Sequence, residues 1–148
     1  MKHVEPTIVA YCCHYCAYTA ADMAGSMRLS YPSGINIVRI PCTGKVDPIY
    51  VMRALQDGAD GVLVAGCLEG DCHFKNGNIK AMKRIAYLKK MLGEIGIDPS
   101  RVDMVLMSAG MGTQFARIVT EFADKIRELG PCSLKRAAAS EPVPSACA

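Results

Sequence analysis

Cysteines are the residues of this chain with the greatest capacity for chemistry. The sequence of 148 residues contains eight of them. They are Cys12, Cys13, Cys16, Cys42, Cys67, Cys72, Cys132 and Cys147. The first three fall within one short stretch, 12–16, and packing alone does not explain such a density. Thiols grouped in this way can hold a metal ion or an iron–sulfur cluster, or form and exchange disulfides.

The rest of the composition limits where this chemistry takes place. Residues 1–6 lack the apolar stretch of a secretory signal peptide, and no apolar run approaches the ~18 residues that span a bilayer. We therefore expect a cytoplasmic protein without a membrane partner. In that reducing compartment, a set of cysteines indicates metal binding or catalysis rather than structural disulfides. The net charge is only +3 and the basic residues are dispersed, so we expect no nucleic-acid partner.

Four strand–helix units position the cysteines. Apolar runs predict strands at 7–11, 35–40, 61–65 and 102–107. Helical periodicity and capping residues predict helices at about 17–29, 47–58, 78–93 and 113–129. This alternation predicts an open, mostly parallel four-stranded sheet with helices on both faces, a flavodoxin-like α/β fold. We expect one domain, 1–134, followed by a mobile tail, 135–148, that is rich in Ala, Ser and Pro.

Six of the cysteines follow the predicted strands. Cys12, Cys13 and Cys16 follow the first strand, Cys42 the second, and Cys67 and Cys72 the third. The carboxyl ends of parallel strands lie at one edge of the sheet, where open α/β folds bind ligands. We therefore expect these six thiols to converge on one region.

The spacing of the thiols leaves three kinds of site open. Cys13-x-x-Cys16 and Cys67-x4-Cys72 are spacings found in plant-type [2Fe–2S] sites, although there they overlap within a single loop. Zinc would accept the same ligands and would make the domain a zinc-stabilised interaction module. Cys13 and Cys16 also open a helix, a position that lowers the pKa of a thiol, so a thiol–disulfide oxidoreductase is the remaining alternative.

The residues near the thiols favour a cluster. Four thiolates around two ferric irons and two sulfides leave a net negative charge, which nearby donors and dipoles must offset. Gly44, Gly66 and Gly70 offer open backbone N–H groups, and Lys45 offers a positive charge. His73 adjoins Cys72 and is predicted to support the site without binding metal.

Three motifs carry a resemblance to a known family. They are Tyr-Cys-Cys-His-Tyr-Cys-Ala-Tyr-x-Ala-Ala-Asp from residue 11, Pro-Cys-Thr-Gly-Lys-Val-Asp-Pro from residue 41, and Gly-Ala-Asp-Gly-Val-Leu-Val-Ala-Gly-Cys-x-x-Gly-Asp-Cys-His-Phe-x-x-Gly-Asn from residue 58. Over about residues 6–132 the chain resembles the methyl-viologen-reducing hydrogenase delta-subunit family. It departs from the usual family pattern at His14-Tyr15, where Asn-Trp is typical, and at Leu68-Glu69, where His-Pro is common.

This resemblance implies a small iron–sulfur protein with no catalytic site of its own. Its members pass electrons from a hydrogenase, or from a donor such as formate dehydrogenase, to the flavin subunit of heterodisulfide reductase. The recurrent cysteines of the family correspond to Cys13, Cys16, Cys42, Cys67 and Cys72. We expect four of these five to hold one [2Fe–2S] cluster. Within the first motif, Cys16 ranks first as a ligand, Cys13 second, and Cys12 is the expected spare.

Overall fold

A computed structural model describes residues 4–134 as a parallel sheet with helices on both faces. The strands are β1 (Ile8–Cys13), β2 (Ile35–Ile40), β3 (Gly61–Cys67) and β4 (Val102–Met107). The helices are α1 (Ala17–Ser26), α2 (Pro48–Gln56), α3 (Gly77–Glu94) and α4 (Gly112–Leu129), with 3₁₀ turns at Thr43–Lys45 and Pro99–Arg101. The strand order is β2-β1-β3-β4, and every pairing is parallel. The predicted α/β fold is confirmed, whereas the tail 135–148, with Cys147, lies outside the described residues.

Two strands run further than the sequence predicts, and both extensions end on a thiol. β1 continues to Cys13, which pairs with Ile40 of β2. β3 continues to Cys67, which pairs with Met107 of β4. Ladder hydrogen bonds to neighbouring strands therefore hold these two cysteines, whereas the sequence pattern predicts them in the loops beyond the strands. A sulfur held by a ladder is positioned more rigidly than one on a free loop.

Helix α1 is shorter than predicted. It ends at Ser26 rather than near residue 29. Arg28 has a φ of 54°, a left-handed conformation that cannot continue a right-handed helix. After this turn the chain returns to the sheet as β2, which is an edge strand.

The central strand β3 is buried on both faces, which anchors two separate apolar layers. Leu63 and Ala65 face the layer formed with α1 and α4. Val62 and Val64 face the layer formed with α2 and α3. Each fully buried Leu or Val contributes roughly 1.5–3 kcal/mol to folding. Both layers thus fix β3 and the adjoining strand ends that carry thiols.

Within the described part of the chain, no helix combines the length and the hydropathy needed to cross a membrane.

Candidate metal centre

Three buried thiols meet at the carboxyl edge of the central strands. Cys13 ends β1, Cys16 immediately precedes α1, and Cys67 ends β3. Their sulfur atoms all lie within 4.8 Å of one another. The Sγ atoms of Cys13 and Cys67 are 3.7 Å apart. The structure thus brings together, on two neighbouring strands, residues that are 54 positions apart in sequence.

A second pair of thiols lies beside this group. The Sγ atoms of Cys42 and Cys72 are 4.0 Å apart. Cys42 caps the 3₁₀ turn Thr43–Lys45, and its sulfur accepts a hydrogen bond of 3.4 Å from the N–H of Gly44. Cys13 pairs with Ile40 at the end of β2, and Cys42 follows two residues later, so the pair and the three-thiol group lie at the same edge of the sheet.

Gly77 makes room for the second pair, and sequence reasoning missed this residue. A Cβ added to Gly77 would collide with the Sγ of Cys42 and would lie 3.4 Å from the Sγ of Cys72. Gly77 opens α3, so its backbone contacts both sulfurs where a larger residue could not. Its position just before Asn78 in the third motif was the available signal.

Backbone N–H groups surround Cys72. Burial raises the pKa of this thiol, but N–H groups of Asn78, Phe74 and Gly77 outweigh burial, and its net pKa lies below the ordinary value. The long helix α3 begins at the same point, and its N-terminal dipole favours negative charge. This position therefore stabilises a thiolate, the form of cysteine that binds metals.

Burial dominates at Cys42 and Cys67. It raises the pKa of both thiols, while the N–H of Gly44 opposes the effect at Cys42. At Cys67 contact with the Cys16 side chain and the N–H of His73 oppose the effect of burial. Both sulfurs thus lie where water is excluded and where protein donors replace it. The positive charge of a bound metal would stabilise their thiolate forms there.

Cys13 and Cys16 shift each other's pKa in opposite directions. Contact with the Cys16 side chain, together with the backbone N–H groups of Tyr15 and Cys16, lowers the pKa of Cys13. The same contact, together with burial, raises the pKa of Cys16 strongly. Cys12 is fully buried, and burial raises the pKa of its thiol to about 12. Cys12 is therefore a core residue of the α1 and α4 layer.

The other residues predicted for the site lie in different surroundings. Gly44 donates to Cys42, as described above. Gly66 lies within β3, and a Cβ added there would come within 3.0 Å of the Thr43 side chain. Gly70 has a φ of 84° in the loop after β3, and Lys45 is exposed. Of these four, Gly44 is the one whose contact with a cysteine sulfur is seen directly.

Exposed aromatic rings connect the two loops that carry Cys16 and Cys72. The ring of Tyr15 stacks on His73 with centroids 3.9 Å apart, and Phe74 contacts both rings. His14 contacts Tyr15 in an edge-to-face arrangement, with ring centroids 5.0 Å apart. The sequence placed His73 near the site, but it did not reveal this stack. The rings therefore form a cover, made of residues 14, 15, 73 and 74, beside the thiols.

Asn78 is a further residue that sequence reasoning missed. It is 1% exposed, and its side-chain amide donates hydrogen bonds of 3.0 Å to the carbonyls of both Cys67 and Leu68. These bonds tie the first turn of α3 to the end of β3. Asn78 thereby fixes the loop that presents Cys72. An Asn directly after Gly77 in the motif was the available signal.

The arrangement suits a metal or cluster better than disulfide exchange. Clustered thiolates select zinc or iron–sulfur clusters among biological metals. Cys13 and Cys16 are 2% and 5% exposed, so a protein disulfide could not easily reach them. The five thiols at this edge are all free, and none is in a disulfide within residues 4–134.

Comparison with known proteins extends this picture. Residues 8–130 match the family described as methyl-viologen-reducing hydrogenase, delta subunit. The chain is 51% identical, over 132 residues, to the iron–sulfur subunit of the F420-non-reducing hydrogenase of Archaeoglobus profundus, covering 89% of this chain and 96% of the relative. It is 45% identical over 132 residues to the vhu iron–sulfur subunit of the F420-non-reducing hydrogenase of Methanocaldococcus jannaschii, covering 89% and 98%.

A third relative is much longer. The chain is 43% identical over 126 residues to one subunit of the ferredoxin:CoB-CoM heterodisulfide reductase of Methanosarcina mazei. That match covers 85% of this chain but 16% of the relative. The match to the family covers nearly all of the α/β domain and includes all five edge cysteines. The chain belongs to the methyl-viologen-reducing hydrogenase delta-subunit family.

Proposed function

We propose that this protein is a cytoplasmic electron-transfer subunit whose α/β domain, 1–134, carries one [2Fe–2S] cluster. The observation that carries the proposal is the convergence of five free thiols at one sheet edge, in a group of three and an adjoining pair. The cluster would be held by four of Cys13, Cys16, Cys42, Cys67 and Cys72. Bound there, it supplies one-electron oxidation and reduction. Relatives named as iron–sulfur subunits, at 45% and 51% identity, support this choice over zinc.

The chain's own residues set the conditions for that chemistry. Backbone N–H groups directed at the sulfurs of Cys42 and Cys72 offset negative charge. Burial of Cys13 and Cys67 excludes water from the central part of the site. Hydrogen bonds to sulfur and burial are the two means by which a protein sets the potential of such a centre. Lys45, Gly66, Gly70 and His73 would contribute through charge, close packing and loop geometry.

We propose a hydrogenase, or a formate dehydrogenase-type donor, as the source of electrons. The support is the naming of two relatives as subunits of a hydrogenase. The proposed acceptor is the flavin subunit of heterodisulfide reductase. A longer relative, named as a heterodisulfide reductase subunit, contains a region similar to this chain. This fusion supports the proposal that the protein transfers electrons to that enzyme.

Electron transfer to the acceptor tests this function. The anaerobically purified protein is reduced with dithionite, freed of reductant and mixed with the heterodisulfide reductase flavin subunit. We expect the reduced-cluster electron paramagnetic resonance (EPR) signal to decay while the flavin absorbance bleaches. A matched sample of the Cys42→Ala variant should leave the flavin oxidised. Unchanged EPR and flavin spectra with the intact protein would contradict the proposed partner.

A further inference from the structure

The two faces of the central strand β1 are covered unequally. Parallel sheets normally have helices packed on both faces of their central strands. On the side of α1 and α4, Ile8, Ala10 and Cys12 of β1 are buried. On the opposite side, Val9 and Tyr11 are only half-buried by the described residues, because α2 and α3 pack on β3 and β4. Within residues 4–134, one face of β1 therefore lacks part of its cover.

This open face lines a groove of about 640 Å³. Val9 and Tyr11 of β1 and Val38 of the edge strand β2 form its floor. Tyr50 and Ala54 of α2 form its wall. Val38 is 40% exposed and Tyr50 is 52% exposed. Apolar and aromatic side chains that share one exposed, concave surface indicate a binding site for another segment of chain.

The last described residues lie at one end of this groove. The carboxylate of Asp60 accepts hydrogen bonds from the N–H groups of Thr7 and Cys132, at 3.0 and 3.1 Å. Thr7 lines the groove, as do residues 57–59 immediately before β3. The tail 135–148 thus begins beside the amino-edge end of the groove.

The composition of the tail suits the groove. Lys135 and Arg136 come first, and their charge is opposite to that of Asp57, which lines the same end of the groove. Residues 137–139 are alanines, and Pro142-Val143-Pro144 follow. Proline-rich segments bind grooves lined by aromatic side chains, because their extended conformation is already formed and little entropy is lost.

The length of the tail also permits this binding. Between Thr7 and Tyr11 the floor of the groove is about 13 Å long, at ~3.3 Å per strand residue. An extended, proline-rich chain advances ~3.1 Å per residue. A tail that starts beside Thr7 therefore reaches the tyrosines of the groove with residues to spare.

We propose that the tail 135–148 binds in this groove, with its basic start beside Asp57 and its Pro142-Val143-Pro144 segment against Tyr50. The tail then covers the open face of β1 and β2, in place of the mobile tail that its composition predicts. Weak contacts suffice, because a segment attached beside its binding site has an effective concentration in the millimolar range. The family match ends at residue 130, so this cover lies outside the family pattern.

Proteolysis of the full chain tests this proposal. Elastase cleaves after small residues, and the alanines at 137–139 are its sites in the tail. A bound tail cannot enter the protease, so release of the tail, measured by mass spectrometry, follows the unbound population. We expect Tyr50→Ala to release the tail several-fold faster than the wild type. Tyr87→Ala, which removes an exposed tyrosine from α3, is the matched control and should release it at the wild-type rate.

Charge reversal supplies a second readout. Asp57→Lys should repel the basic start of the tail and accelerate its release. Addition of Lys135→Glu and Arg136→Glu to Asp57→Lys should restore slow release, because opposite charges then face each other again. A merely destabilised fold would not be rescued in this way. Arg117→Glu, which reverses an exposed charge on α4, is the control and should leave the rate unchanged.

Two results would overturn the proposal. One is release of the tail at the same rate from the wild type, Tyr50→Ala and Asp57→Lys. The other is a wild-type dimer, seen by sedimentation, that Tyr50→Ala separates into monomers, because the groove would then hold a second copy of the chain.

Discussion

Gly44 and Gly77 pack backbone against backbone beneath the second thiol pair, and a Cβ added to Gly44 would lie 2.9 Å from the Cα of Gly77. Neither residue binds metal. Their contact brings the turn after β2 against the start of α3. Cys42 immediately precedes that turn, and Cys72 lies in the loop that leads into α3. The absence of two side chains is therefore a condition for this half of the site.

Substitution of Gly77 by alanine should disrupt the site. The new methyl group would collide with the Sγ of Cys42, so either the sulfur or the start of α3 must move. We expect Gly77→Ala to lose most of its iron, measured per chain after anaerobic purification. Gly25→Ala is the matched control, because Gly25 lies within α1 with open space around its Cα. It should keep its iron and gain roughly 0.5–1 kcal/mol in the free energy of unfolding. Full iron content in Gly77→Ala would show that the glycine contact is dispensable.

Removal of the Asn78 amide should destabilise the loop that presents Cys72. Asn78→Ala leaves the carbonyls of Cys67 and Leu68 without their buried donor, which costs about 1–3 kcal/mol. Asn36→Ala is a close control, because Asn36 also donates to two carbonyls, those of Ile8 and Gly34, but is exposed to water. Its unfolding free energy should change by no more than about 0.5 kcal/mol. Equal losses in the two variants, measured by chemical denaturation, would contradict the role assigned to burial.

Loss of the Tyr15 ring should open the aromatic cover. The stack of Tyr15 on His73 is worth about 0.5–1.5 kcal/mol, and it joins the loops that carry Cys16 and Cys72. We expect Tyr15→Ala to lose iron to a ferrous chelator several-fold faster than the wild type. Tyr15→Trp should behave as the wild type does, because it keeps an aromatic ring. Tyr87→Ala removes an exposed tyrosine from α3 and should have no effect on the rate. Identical release rates for Tyr15→Ala and Tyr87→Ala would show that the stack does not protect the site.

Much of this arrangement could be predicted because it depends on local patterns. The apolar runs predicted the observed bounds of β2 and β4, and the parallel topology implied that the cysteines would converge. The sequence could not predict that the five edge thiols divide into a group of three and an adjoining pair. This division depends on how far β1 and β3 extend, which is decided by pairing with neighbouring strands. The orientation of Cys16 likewise depends on contacts with Cys67, which is distant in sequence.

The residues missed by the sequence share a physical property. Gly77 acts through the absence of a side chain, and Asn78 acts through hydrogen bonds to a strand end that is remote until the chain folds. Neither residue type indicates chemistry by itself. Both adjoin the third cysteine motif, however, so their proximity to Cys72 was the only signal that the sequence contained.

The iron and acid-labile sulfide content of the anaerobically purified protein determines whether the five edge thiols hold an iron–sulfur cluster. We expect about two irons and two sulfides per chain, with a visible absorption spectrum that bleaches on reduction and an EPR signal from the reduced state. One zinc per chain without sulfide would indicate a structural metal site. A colourless, metal-free protein in which Cys13 and Cys16 oxidise and reduce reversibly would indicate a thiol–disulfide oxidoreductase. Either result would contradict the proposed [2Fe–2S] cluster.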